Sequence, residues 1–162
     1  MSEIAYTKEA VQQRFRDFLS ANGHRVTVER MAILDAAYDV EGTFTIEELQ
    51  QLLELRKFRV SRATLYNTAL LMVQANLLIR HPFNSMGSIY EHITDDRPKS
   101  FQICNNCHRI TRIKSREVAE VIGCYRARRF HITHRVLYIY GICPTCLRDL
   151  NKKLKQKTKK PE

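Results

Sequence analysis

Ser61-Arg-Ala-Thr-Leu-Tyr-Asn-Thr-Ala-Leu-Leu-Met-Val-Gln-Ala75 reads as a helix with one apolar side and one side left for a partner. Ser61 supplies an N-cap hydroxyl, and the helix is expected from Arg62 to about Ala75. Helical spacing predicts Leu65, Leu70, Met72 and Val73 inside, with Arg62, Tyr66 and Asn67 facing out. Working backward, Thr45-Ile-Glu-Glu48 is a capping box that opens a helix burying Leu49, Leu52 and Leu53. Thr27 opens another, with Met31, Ile33, Leu34 and Ala37 on its inner side. From Lys8 to Asn22, Val11, Phe15, Phe18 and Leu19 recur at helical spacing, and Asn22-Gly23 stops the run. Working forward, Leu77-Leu-Ile-Arg80 and Ser88-Ile-Tyr-Glu91 read as a β-hairpin turned by Asn84-Ser-Met-Gly87. Three helices, a fourth with a basic start, then a hairpin: this is the order of a winged helix-turn-helix. A small helical bundle with an incidental basic loop is the alternative, because periodicity alone does not separate the two.

The charge pattern favours the first of these. The chain has 162 residues and a formal net charge of +10. Its first 54 residues are net acidic, whereas 55–88 hold Arg56, Lys57, Arg59, Arg62 and Arg80 with no acid at all. A basic window on a capped helix points to a polyanion, and double-stranded DNA suits a helix that enters the major groove N-terminus first. The hairpin would then lie along the adjacent backbone. A second basic run from Asn151 contains Lys152, Lys153, Lys155, Lys157, Lys159 and Lys160. Such a run is as compatible with a solvated helix end or disordered arm as with a nucleic-acid contact.

Cys104-Asn-Asn-Cys107 and Cys143-Pro-Thr-Cys146 take four of the five cysteines. Each CxxC has the spacing of a zinc knuckle, and two knuckles complete a tetrahedral all-thiolate shell. Four thiolates leave no open position for water or substrate, so the zinc expected here is structural. Paired redox motifs or disulfides are the rival reading. No secretory leader is evident, which favours a reducing, cytoplasmic home. The 44% hydrophobic content suffices for a packed core, and no apolar run reaches membrane-spanning length.

The second half changes period. Phe101-Gln-Ile103 leads into the first knuckle and His108–Ile113 alternates like a strand. Ser115 caps a helix with Val118, Val121 and Ile122 expected inward, and Phe130–Tyr140 reads as one long strand before the second knuckle. A three-stranded sheet with a single helix cannot bury both its faces, so a second copy is the expected cover. The fold class is therefore α+β: a winged helix over 1–88, an α/β dimerisation domain with the four-cysteine zinc site over 89–150, and a basic tail over 151–162.

Gly23-His-Arg-Val-Thr-Val-Glu-Arg30, Ser61-Arg-Ala-Thr-Leu-Tyr-Asn-Thr68, Cys104-Asn-Asn-Cys107 and Tyr138-Ile-Tyr-Gly-Ile-Cys-Pro-Thr-Cys146 together resemble the ferric-uptake-regulator family of bacterial metal-responsive repressors. The similarity runs from about Lys8 to Leu150. It implies a homodimer on a palindromic operator, a structural zinc on the four cysteines and a regulatory site near the hinge. It implies base contact by Tyr66 within the helix that also presents Arg62, Thr64 and Asn67, with Arg59 and Arg25 as further basic candidates; His24 beside Arg25 is a phosphate candidate. Asn67 stands where relatives often carry arginine and suits adenine N6 and N7, although a solvated Asn is an equal reading.

The departures from the family concern its sensing metal. Relatives carry a His-rich run just before the first CxxC; here Asp95–Ile103 contains no histidine. The stretch Thr43-Phe44-Thr45, where relatives often place a ligand histidine, lacks one too. Glu91 matches a family ligand position, and His134 lies one place early relative to Cys143. Glu91, His92, Asp95 and Asp96 are candidates for an improvised iron or manganese site, against a solvated acidic loop balanced by Arg97 and Lys99. Cys124, near Arg126, Arg128 and Arg129, is a candidate redox switch or, with His131 or His134, a haem ligand; the alternative is a small buried hydrophobe. His81 and His108 read as surface or packing residues.

The chain shows no nucleophile–base constellation, phosphate loop or open metal shell, so an enzyme is not expected. The expected function is a DNA-binding regulator, a repressor by the resemblance, whose metal site is altered or lost and whose effector is iron, manganese, haem or redox state. The alternative is a scaffold that keeps the fold and has lost specific operator binding.

Overall fold

The computed structural model describes residues 7–82, 88–94 and 97–157, and the chain divides into two compact units, 1–96 and 97–162. The first unit contains α1 (Lys8–Ala21), α2 (Val28–Asp39), β1 (Thr43–Thr45), α3 (Ile46–Leu55), α4 (Arg62–Gln74), β2 (Leu78–His81) and β3 (Ile89–His92). Its sheet is antiparallel in the order β1-β3-β2, with Phe44 opposite Tyr90 and Ile79 opposite Glu91. A short strand before two helices, closed by a hairpin whose second strand sits in the middle, is winged-helix topology. The turn 84–87 expected at the hairpin tip lies outside the described residues, as do Asp95, Asp96, Lys159 and Lys160.

Local chemistry explains the helix ends. The side chains of Thr7, Thr27, Thr45 and Ser61 each accept from a backbone N–H of the following first turn, and Thr45–Glu48 forms the full capping box. At the far end of α1, His24 N–H bonds Leu19 O at 2.8 Å and Gly23 N–H bonds Ser20 O at 3.3 Å, with Gly23 at φ +71°. The same 6→1 and 5→2 pattern ends α3 through Lys57 and Phe58, and α4 through Asn76 and Leu77. These three helices are thus stopped by their own carbonyls, which holds the α3–α4 corner and aims α4.

The core of this unit gathers Val11, Phe15, Leu19, Ile33, Leu34, Phe44, Ile46, Leu49, Leu53, Leu65, Met72 and Leu77. Phe18, Met31, Leu52 and Val73 are only partly buried against it. In α4 the expected inner position of Leu70 is corrected: Leu70 is 51% exposed, and Leu71 is buried in its place. Inward positions 65, 68, 69 and 72 set a stripe that rotates Leu70 to the opposite face.

The second unit contains β4 (Lys99–Cys104), β5 (Ile110–Arg112), α5 (Arg116–Cys124), β6 (Val136–Gly141) and α6 (Pro144–Lys157), with the sheet ordered β5-β4-β6. β6 runs parallel to β4, from Lys99 opposite Val136 to Cys104 opposite Gly141. The long strand expected over Phe130–Tyr140 is corrected to Val136–Gly141, because β4 offers pairing partners only from Lys99 onward. Val121, expected inside, is 75% exposed in α5. Phe130, Ile139, Tyr140, Ile142, Leu147, Leu150 and Leu154 are also exposed, an apolar surface that a lone copy leaves in water. Among the described residues, no helix is long and apolar enough to cross a membrane.

Candidate metal centre and nucleic-acid interface

Parallel pairing builds the metal centre. Because β4 and β6 run side by side and end opposite each other at Cys104 and Gly141, their two CxxC turns emerge at the same end of the sheet. Asn105 N–H to Gly141 O at 2.8 Å ties the turns together. The ligating atoms of Cys104, Cys107, Cys143 and Cys146 all lie within 4.8 Å of one another, and Cys107 Sγ is 3.7 Å from Cys143 Sγ. A tetrahedral zinc with bonds of about 2.3 Å sets its sulfurs about 3.8 Å apart, so the donor set fits zinc in kind, number and spacing. The first knuckle is shaped by Cys104 N–H bonding Arg109 O at 3.0 Å and by His108 at φ 56°. Cys143 N–H donates to Cys104 Sγ at 3.3 Å, as is common around a thiolate ligand.

The thiol acidities fit a cation site. Backbone N–H groups of Cys107 and Cys143 hold Cys104 down at about 6. Asn106 pulls Cys146 down, but its three neighbouring sulfurs and burial push it up to about 12. Some of these sulfurs are stabilised as thiolates while others resist adding more negative charge. A divalent cation removes that conflict.

The interface candidates lie in the first unit. Arg62, Ala63, Tyr66, Asn67 and Leu70 form one continuous exposed face of α4. Thr64 turns aside: its N–H bonds Ser61 Oγ at 3.1 Å and its hydroxyl lies 2.8 Å from the same atom. Arg62 is ion-paired to Glu47 on α3, its guanidinium sits 5.7 Å from the Tyr66 ring centroid, and Tyr66 OH lies 3.5 Å from Glu47 Oε1. The hydrogen bond to Tyr66 and the Glu47 charge both hold the Arg62 pKa above its ordinary value.

Beside this face lies an open cleft of about 490 Å³ lined by His24, Arg25, Arg30, Arg59, Ser61 and Thr64, among others. The N-termini of α2 and α4 both border it. Arg30 donates to Arg25 O across its wall. Arg25, Arg30 and Arg59 outnumber the lining acid Glu29, and with the two helix starts they make this an anion-attracting surface. Arg25 and Arg59 are candidates from the sequence; Arg30 appears there only within the resemblance stretch Gly23–Arg30, Leu70 as an inner position of its helix, and Glu47 as part of a capping motif, so the structure is what places these three on or beside this surface.

The regulatory candidates are not brought together in the same way. Glu91 and His92 are neighbours on β3, so the pleat sends their side chains to opposite faces of the sheet. Glu91, 3% exposed, meets His81, 1% exposed, with His81 Nε2 at 3.3 Å from Glu91 Oε2. His81 is therefore an internal partner of Glu91 rather than a surface residue. His92 lies against the Tyr38 ring, with centroids 5.0 Å apart. Thr43, in the stretch where relatives place a histidine, is on β1 directly opposite Glu91. His134 is exposed and its Nδ1 is 3.2 Å from Thr133 Oγ1. Cys124 is exposed at the end of α5, outside the sulfur cluster, which corrects its reading as a buried hydrophobe. Among the described residues, no further group of three His, Cys, Asp or Glu side chains comes within ligating reach.

Comparison with known proteins agrees with this architecture. The pattern of the ferric uptake regulator family matches residues 21–140. A ferric uptake regulation protein of Campylobacter jejuni is 26% identical over 144 residues, 85% of this chain and 89% of that one. The peroxide operon regulator of Bacillus subtilis is 27% identical over 134 residues, 82% of this chain and 91% of that one. Among solved structures, the Helicobacter pylori ferric uptake regulator, described as having three functional metal binding sites, matches with a TM-score of 0.65 at 18% identity, over 91% of this chain and 97% of that one.

Proposed function

The chain belongs to the ferric uptake regulator family of DNA-binding transcriptional regulators, and from that premise we propose that it is a cytoplasmic homodimeric repressor which reads a palindromic operator with α4. The observation that carries this reading is the exposed α4 face of Arg62, Ala63, Tyr66, Asn67 and Leu70 beside the basic cleft. In the groove, Arg62 suits guanine O6 and N7, Asn67 suits adenine, and Leu70 and Ala63 suit thymine methyl groups. Arg25, Arg30 and Arg59 hold backbone phosphates at the cleft, which sets register rather than sequence. Two copies present two such helices, so the operator has two half-sites related by the protein's own symmetry.

The four cysteines hold a structural zinc that, when bound, supplies the charge to neutralise clustered thiolates and ties β4 to β6. The exposed residues Phe130, Ile139 and Tyr140 support self-association of that unit. The domain scheme consistent with this function is a DNA-binding part ending in the wing and a zinc-bearing dimerisation part. The regulatory metal site is altered: Glu91 already meets His81, His92 faces away from it, and the segment before Cys104 lacks histidine. The residues described do not fit the family's sensing metal, so iron, manganese, haem at Cys124 and oxidation of Cys124 remain effectors to be tested.

The test is selection of duplexes from a random pool with zinc-loaded protein, followed by titration with and without Fe(II), Mn(II), Zn(II) or haem. A palindrome bound with steep salt dependence, and lost in Tyr66→Ala and Arg62→Ala variants that remain folded, is the expected result. No enriched sequence would favour the interaction-scaffold reading. A tenfold effect of an added ligand would correspond to about 1.4 kcal/mol of coupling and identify the effector.

A further inference from the structure

Three side chains from two helices form a closed triangle on the surface assigned to DNA. Glu47 lies in the first turn of α3, while Arg62 and Tyr66 are i and i+4 on α4. The carboxylate of Glu47 pairs with Arg62 Nη2, and Tyr66 OH lies 3.5 Å from the same oxygen. Arg62 in turn covers the Tyr66 ring at 5.7 Å from its centroid. A carboxylate is out of place on a face that meets phosphates unless it does something for its neighbours. The side chains of Arg62 and Glu47 are 63% and 51% exposed, so this contact leaves much of the guanidinium available. Arg62 has five N–H donors in a planar fork. One edge engaged by Glu47 leaves others free for a base.

We propose that Glu47 is the positioning residue of the reading face: it holds Arg62 and Tyr66 as one pre-set pair, and so determines sequence specificity without touching DNA. The proposal rests on the reading that α4 enters the groove. Arg62 is a long, flexible side chain that must lose rotamer freedom to read a base. Glu47 makes it lose that freedom before DNA arrives. The same carboxylate repels backbone phosphate and occupies part of Arg62, which penalises sequence-independent contact. Specific and non-specific binding should therefore respond to its removal in opposite directions.

The experiment compares full-length zinc-loaded wild type with Glu47→Ala, Glu47→Gln, Arg62→Ala, Tyr66→Ala and the Glu47→Ala/Arg62→Ala pair. Each is titrated against a duplex enriched from a random pool and a scrambled duplex of equal length, over a range of salt. Circular dichroism and zinc content check that each variant is folded. Glu47→Ala is expected to weaken the enriched duplex about two- to tenfold, the cost of fixing one long side chain at the interface. It is expected to tighten the scrambled duplex and to steepen its log–log salt slope by about one ion. Glu47→Gln retains an acceptor oxygen and is expected to recover part of the specific loss. In the Arg62→Ala background, Glu47→Ala is expected to have little further effect on the enriched duplex. Equal shifts for both duplexes would overturn the proposal, because Glu47 would then be only a repelling charge. The same loss with and without Arg62 would also overturn it. If Arg62→Ala and Tyr66→Ala leave the enriched duplex unaffected, the DNA-reading assignment of α4 fails with it; if they weaken it and Glu47→Ala does not, only the positioning role fails.

Discussion

Cys143→Ser removes one corner of the sulfur tetrahedron and exposes how much of the second unit depends on it. Structural zinc on such a site is worth about 10–16 kcal/mol of apparent binding free energy, so one of four ligands represents about 2.5–4 kcal/mol. Within the single chain, the described residues of the second unit bury few other apolar side chains. Its buried apolar side chains are Phe101 and Ile103 of β4 with Cys104 and Cys146, two of which are themselves ligands. The first unit, by contrast, has its own core running from Val11 to Tyr90. At about 4–8 °C per kcal/mol for a domain of this size, the loss corresponds to a fall of about 10–30 °C in the melting temperature of the second unit. The assay is thermal unfolding followed by far-UV circular dichroism in reductant, with zinc measured by elemental analysis on the same samples. The expected trace is a low-temperature transition that separates from that of the first unit, with zinc well below one per chain. A variant that keeps one tight zinc per chain and melts within about 2 °C of wild type would refute the four-thiolate site.

Other substitutions test the remaining structure. Ser61→Ala removes the hydroxyl that accepts from Thr64 N–H and should destabilise the first unit by about 1 kcal/mol, read from urea unfolding. Leu70→Ala should change stability by less than about 0.5 kcal/mol, because the side chain is 51% exposed, while weakening the enriched duplex; a loss of several kcal/mol would return Leu70 to the core. Arg59→Ala should weaken enriched and scrambled duplexes alike and reduce the salt slope by about one, as for a phosphate contact. Acidification should release zinc, because protons compete for thiolates that must be deprotonated to ligate; zinc affinity that stays constant from neutral pH to about pH 5 would contradict thiolate ligation.

Much of this architecture was legible in the chain because local chemistry and tertiary need agree. Thr45 with Glu48, Ser61 and Asn22-Gly23 announce helix ends that the structure satisfies with named hydrogen bonds. The two CxxC pairs identified the sulfur cluster, since the spacing rule concerns only a turn and its metal. What the chain did not disclose depends on partners distant in sequence. β1 is three residues of Thr-Phe-Thr, too short for alternation to register, and it exists because β3 pairs with it. Leu70 and Leu71 are equally apolar, and only the rotation of α4 against its neighbours decides which is buried. Phe130, Ile132 and Thr133 extend the β-prone pattern of β6 backward, but β4 begins too late to pair with them. Val121 faces outward from a unit that leaves Phe130, Ile139, Tyr140 and other apolar side chains exposed as well, so helical period alone does not tell which side of α5 is inner.

A closed zinc shell and an occupied Glu91 divide the family's two metal roles in a physically consistent way. Four thiolates that saturate a tetrahedral ion offer no position where a signal could bind, so the sulfur site serves architecture and cannot be the switch. Sensing must then act on an element that has two arrangements. Glu91, in the central strand β3 of the winged-helix sheet, is where the family resemblance puts a metal ligand, yet here it is buried against His81. A metal that claims Glu91 must first displace the His81 imidazole that lies 3.3 Å from its Oε2. A metal that claims Glu91 alone begins with that handicap, and His92, on the other face of the strand, cannot help to recover it. A metal that takes Glu91 and His81 together avoids the handicap, and among the described residues it gains two ligands beside Thr43 of β1, a weak donor. Among the described residues, β3 thus offers a metal fewer ligands than a ready-made set of imidazoles, and the caps, core contacts and Glu47 pairing that fix α4 involve no second metal.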